Sequence, residues 1–271
     1  MAYTEHYYTQ FETGCFYHVY NRAVDSKPMF KNEGNYLYFL RQYGKYLSSV
    51  LDTFAYCLLG NHFHLLVRVR DPWAVGATTA APPVTSAGWG GGCVGCRTAG
   101  TAGTTGTADL TTFQKLSNLM LAPMPAPTPT SQQQSTPPKT THDIVSHQFR
   151  KFFQSYSMAF NKQQDRIGTL FQTPFKRALV DGKQYLRYLV YYIHANPQLH
   201  GITEDFRDWK WNSYHSILSD EQSKIKKAEV LNWFNDKETF QRFHDTQLMN
   251  FNKEENFSEY HLEDEYIIEK V

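Results

Sequence analysis

The sequence predicts an α+β fold, an antiparallel sheet of the split βαβ kind with its helices on one face, continued by a C-terminal helical extension. Two observations lead there. Segments rich in aromatic and β-branched residues alternate with segments whose apolar residues recur at helical spacing, in the order β-α-β-β-α-β. A Gly60-Asn61 pair then separates two strand-like runs, as the turn of a hairpin does.

Cys15 to Val24 (CFYHVYNRAV) reads as the first strand. Asn32 to Val50 carries Tyr36, Phe39, Leu40, Tyr43 and Leu47 on one helical face. Leu51 to Leu59 and His62 to Val69 form the hairpin. Ile144 to Asn161 is a second helix with Val145, Phe149, Phe152, Tyr156 and Phe160 inward, and Gly168 to Val180 is extended, interrupted by Pro174. Helical periodicity returns from Lys183 to Asn196, closed by Pro197 and Gly201. Asp208 to Leu218 is expected as a compact aromatic loop, followed by short helices near Ala228 to Phe234 and Lys237 to Met249 and an acidic, frayed end.

The domain reading is discontinuous. Residues 1–70 and 143–218 make one unit, and 219–271 the helical, acidic extension. Between them, 71–142 is dominated by Ala, Gly, Thr, Pro, Ser and Gln and is expected to be mostly disordered, with Asp109 to Met120 its one helix-like piece. Cys93 and Cys96 form a CxxC there, but no second pair of ligands accompanies it for a structural zinc site.

The net charge of +1 conceals a separation of sign. From Asp143 to Val190 eight Lys or Arg stand against three Asp, whereas from Ser219 to the end thirteen Asp or Glu outnumber seven Lys or Arg. A basic segment interleaved with aromatics suits a surface that neutralises phosphates and stacks bases, although a solvated helix face has the same composition. Four cysteines make no disulfide framework, no apolar run resembles a signal peptide, and none approaches the roughly 20 residues that span a bilayer, so a cytoplasmic protein with no membrane partner is expected.

The chemistry concentrates in two places. In a strand, the side chains of His62, His64 and Leu66 share one face and those of Phe63, Leu65 and Val67 the other, so two imidazoles point the same way. On the helix from Lys183, Tyr188, Tyr192 and Asn196 form one line, with Tyr191 to its side. Where that helix lies along the histidine-bearing face, two imidazoles, an amide oxygen and a phenol converge. Such a neutral donor set leaves positions open and suits Mg²⁺ or Mn²⁺ shared with phosphate oxygens. A phenol beside it suits in-line attack on a phosphodiester. Taken singly, each residue also has a plain structural use: core histidines, core tyrosines, and a residue that ends a helix before Pro197.

Five blocks carry a resemblance: YHVYNRA at Tyr17, AYCLLGNHFHLLV at Ala55, FNKQQDRIGTLFQTPFKRALV at Phe160, YLVYYIHANPQLHG at Tyr188 and DWKWNSYHSIL at Asp208. Their order resembles that of the REP-associated tyrosine transposases, within the single-tyrosine HUH transposases. The resemblance implies a ferredoxin-like domain that cleaves and rejoins single-stranded DNA at or near a hairpin through a 5′-phosphotyrosine. It places the metal ligands on His62, His64 and Asn196 and the nucleophile on Tyr192, with Tyr191 the rival. Lys176 and Arg177, with Lys183 and Arg187, become the DNA-binding residues. It leaves open a homodimer, and a non-catalytic hairpin-binding regulator that retains the fold. Leu59-Gly60 stands where the family often has Met-Pro, and the 71–142 insertion departs further.

Overall fold

Strand β1 (Phe16–Arg22), helix α1 (Glu33–Leu47), strands β2 (Leu51–Leu58) and β3 (His62–Val69), helix α2 (Thr141–Gln163) and strand β4 (Lys176–Val180) follow in the expected order. Helices α3 (Lys183–Leu199), α4 (Tyr214–Leu218), α5 (Lys227–Phe234) and α6 (Lys237–Lys253) complete the chain in this computed structural model, which describes residues 8–71 and 138–253. The CxxC of Cys93 and Cys96, the helix-like piece from Asp109 to Met120 and the acidic end from Glu254 lie outside the described residues.

All strands pair antiparallel in the order β2-β3-β1-β4. The period of two in β3 sorts its side chains as the sequence indicates. Phe63, Leu65, Val67 and Val69 join Tyr17 and Val19 beneath α1 and α2, where Phe39, Phe149, Phe152 and Tyr156 complete an aromatic core. Phe39 meets Phe63 at 5.2 Å between ring centroids and Phe152 at 4.8 Å. The two helices of the split βαβ unit therefore share one face. The opposite face is not bare: α3 lies on it, and Leu66, Ala55 and Cys57 pack with Leu189, Val190 and Ile193. Helices α5 and α6 close this second core through Trp233, Phe234 and Phe240.

Several boundaries move for identifiable reasons. Helix α2 begins inside the segment assigned to the insertion, because Thr140 caps it. Its hydroxyl accepts from the Asp143 amide (3.1 Å) while the Asp143 carboxylate accepts from the Thr140 amide (2.9 Å). Helix α3 does not stop at Asn196. Pro197 lies within it and removes one backbone donor, but every residue from Leu189 to Pro197 is buried, and packing outweighs the lost bond. Only the part of Gly168 to Val180 that follows Pro174 pairs as a strand over more than one residue. The expected aromatic loop contains α4, and its Trp211 carbonyl accepts from the Leu58 amide (2.9 Å), helping to cover the edge of β2. Strand β2 also holds a bulge between Thr53 and Ala55, which turns Phe54 into the second core. Among the described residues no helix is long and apolar enough to cross a membrane.

Candidate active site

The hairpin turn at Gly60-Asn61 starts β3, and antiparallel register then sets His64 opposite Tyr20 of β1 and His62 opposite Arg22. His18, two residues before Tyr20, faces the same side. Its ring stacks on Tyr20 (4.8 Å between centroids) and lies 5.2 Å from that of His64. Over these rings α3 brings Tyr192, whose ring stands edge-on to His64 at 5.8 Å and to His18 at 6.2 Å. One turn further, Asn196 is fully buried and donates through Nδ2 to the Tyr192 carbonyl (3.3 Å), which places its oxygen on the same stripe of the helix.

Three atoms of this cluster have no hydrogen-bond partner and no solvent: His62 Nε2, His64 Nε2 and Asn196 Oδ1. A buried polar atom left unpaired is costly, and the great majority are paired. Burial also keeps both imidazoles neutral. It pushes His62 down to about 3, helped by His200 and Arg22 and opposed by the neighbouring Asn196 amide. His64 falls well below its ordinary value for the same reason, with His62, His18 and His200 adding to it. A neutral imidazole keeps one nitrogen lone pair for a cation. Two such nitrogens and an amide oxygen fit an open-coordinated Mg²⁺ or Mn²⁺ better than a closed zinc site. The fit depends on the amide: among the described residues no group of three or more His, Cys, Asp or Glu is arranged to hold a metal.

The two tyrosines part company. Tyr191 points away from the sheet, its ring edge-on to His244 at 5.8 Å; its hydroxyl is buried without a partner, and burial raises its pKa. Tyr192 alone of the pair stands over the histidines.

The basic residues part as well. Lys176, opposite Tyr20 in β4, sets its ammonium 5.5 Å from the Tyr20 ring on the histidine-bearing face. Arg177, expected at DNA, is drawn to the other face. It is buried there, donates to the Thr9 and Tyr8 carbonyls and lies over Phe11 and Phe175, so it does not join the site. Lys183 and Arg187 line a shallow depression of about 700 Å³ at the start of α3, where the Arg187 guanidinium rests on Phe234 and Phe243.

Sequence reasoning passed over His18 and the partner of His194. The latter heads a buried chain in which the Ser213 hydroxyl donates to His194 Nε2 (2.8 Å) and His194 Nδ1 donates to His244 Nε2 (3.0 Å). His244 Nδ1 then donates to the Phe240 carbonyl (2.8 Å). These directions follow from the last partner. The Phe240 carbonyl can only accept, so His244 Nδ1 carries the proton and its Nε2 accepts; with both rings neutral, His194 is then protonated at Nδ1 and its Nε2 accepts from Ser213.

No family model matches the chain, and no curated protein matches it. Among solved structures it is similar to one described as a REP-associated tyrosine transposase bound to a REP hairpin. The TM-score is 0.47, with 12% identity over 79% of this chain and 85% of that one.

Proposed function

We propose that the protein is a metal-dependent strand transferase that cleaves and rejoins single-stranded DNA at or near hairpins, with Tyr192 as nucleophile. The observation that supports this is the placement of the Tyr192 ring over His64, beside three buried ligand atoms that lack partners. Binding alone requires no such set. His62, His64 and Asn196 would hold Mg²⁺ or Mn²⁺, which draws charge from a phosphate oxygen and makes phosphorus more electrophilic.

Tyr192 would then supply the attacking oxygen. The phenolic O–P bond forms as the P–O3′ bond breaks, the phenol releases its proton, and the departing 3′ oxygen takes one up. The strand end stays on Tyr192 as a 5′-phosphotyrosine, whose bond energy allows a later 3′ hydroxyl to reverse the reaction and join a different end. Lys176 at the sheet and Lys183 and Arg187 at the start of α3 provide positive charge for the backbone. With one such tyrosine per chain, a full exchange reuses it or recruits that of a second subunit.

Incubation with a labelled hairpin library and Mn²⁺ tests the reading. A denaturant-resistant protein–DNA band is expected from wild type and from Tyr191→Phe, and none from Tyr192→Phe. Binding without any band on a bound hairpin would favour a hairpin-binding regulator. Cleavage that survives Tyr192→Phe would instead mark a nuclease that uses water.

A further inference from the structure

We propose that His18 and Asn61 are positioning residues, each accepting a hydrogen bond from the inner ring nitrogen of one metal-facing histidine so that both Nε2 lone pairs face the cation. The inference rests on the metal reading above and adds what selects the form of each ring. A neutral imidazole carries its proton on one nitrogen, and the partner of the other decides which.

For His62 the direction follows from a chain of fixed donors and acceptors. Nδ1 lies 2.6 Å from Asn61 Oδ1. The orientation of that amide is set by its other end, because Asn61 Nδ2 donates to the Ser26 carbonyl (3.2 Å), which can only accept. Asn61 therefore presents oxygen to His62, and the proton sits on Nδ1. Ser26 is itself held. It and Asp25 adopt left-handed backbone (φ 54 and 60), and the Arg22 guanidinium bonds its hydroxyl. The Ala23 amide meets the Asn61 carbonyl (2.8 Å), and those of Met29 and Phe30 meet the Gly60 carbonyl (2.8 and 3.0 Å). The loop after β1 and the β2–β3 turn brace each other, and Asn61 carries that bracing to His62.

For His64 the partner is another histidine. His18 Nε2 lies 3.0 Å from His64 Nδ1, with His18 only 2% exposed. Two arrangements of the protons are compatible with this contact, since His18 Nδ1 has no partner. In one, His64 donates and turns a bare Nε2 to the site; in the other, His18 donates and His64 turns an N–H there. A cation attracts the lone pair and repels the N–H, so a bound metal selects the first. Strand pairing sets His18 opposite Leu66, diagonal to His64, at the distance this bond needs.

The test uses full-length protein labelled with ¹⁵N-histidine, and long-range proton–nitrogen correlation to read each ring. His62 is expected protonated at Nδ1 with or without Mg²⁺, and His64 at Nδ1 once Mg²⁺ is added. Calorimetric titration with Mn²⁺ is expected to show binding weakened ten- to a hundredfold by His18→Phe and by Asn61→Leu. His18→Gln, whose amide oxygen reaches the same point, and Asn61→Asp are expected to recover most of the loss. A purely structural role would not make recovery depend on an acceptor atom. Wild-type affinity in a folded His18→Phe, or His62 protonated at Nε2, overturns the proposal. Where wild type itself binds no Mn²⁺ the metal reading fails separately, and the His62 ring of metal-free protein still decides: Nδ1–H supports the part played by Asn61, and Nε2–H sinks it.

Discussion

Lys176 and Arg177 are adjacent in sequence and end on opposite faces of the sheet, so equal charges have unequal uses. Lys176 stands beside Tyr20 and the histidines, with its charge toward any backbone that reaches Tyr192. Lys176→Ala is expected to weaken binding of single-stranded DNA with little effect on stability. The slope of log affinity against log salt should fall by about 0.7, the value of one phosphate contact on a single strand. Arg177→Ala is expected to do the reverse. It strips the half-buried carbonyls of Thr9 and Tyr8 of a charged donor and Phe11 and Phe175 of a covering guanidinium, at a cost of about 2 kcal/mol. Urea unfolding and a binding isotherm on both variants decide, and a loss of DNA affinity in Arg177→Ala without loss of stability would contradict this division.

At the scale of elements, Tyr192 and Asn196 face the sheet only while α3 keeps its rotation about its own axis. The Ser213–His194–His244 chain holds that rotation, because it ties the middle of α3 to β2 on one side and to α6 on the other. His194→Leu and His244→Leu each leave a buried partner unpaired and are expected to cost about 1–3 kcal/mol. The double variant, which removes both, is expected to cost less than the two together in a denaturant-unfolding cycle; simple additivity would mean that the contact carries no energy. This element also shows where sequence reading stops. The spacing of His62 from His64 and of Tyr192 from Asn196 is local, two residues on a strand and four on a helix, and was legible. The opposite facing of Lys176 and Arg177 was available from the same period of two and went unused. What joins His18 to His64 is strand register across 46 residues, and His194 meets His244 across 50, and no periodicity encodes either distance. The course of α3 through Pro197 was likewise hidden, since it depends on packing on all sides rather than on the proline.

Across the whole molecule, histidine burial makes stability depend on pH in a definite direction. His18, His62 and His244 are each held down to about 3, and His64 and His194 well below their ordinary value, with burial the leading cause every time. In the unfolded chain a histidine titrates near 6.5. Above that pH neither state binds the proton and the contribution is intact. Below it the unfolded chain binds protons that the folded chain refuses, so stability falls as pH drops toward the folded values, by about 1.4 kcal/mol per unit for each such ring. Five rings act in the same direction, so the loss of stability between pH 7 and 5 is expected to be steep. Urea midpoints taken at intervals across that range are therefore expected to collapse before the carboxylates begin to protonate. His244→Gln should lower the slope by one ring's share, because an amide cannot take up the proton. Added Mn²⁺ should raise the midpoint by a similar amount across the range, because the folded nitrogens stay unprotonated throughout it and the metal acts on the folded state. A midpoint that stays level from pH 7.5 to 5 would mean that these rings are not held neutral in the fold, and with that the lone pairs assigned to His62 and His64 would lose their basis.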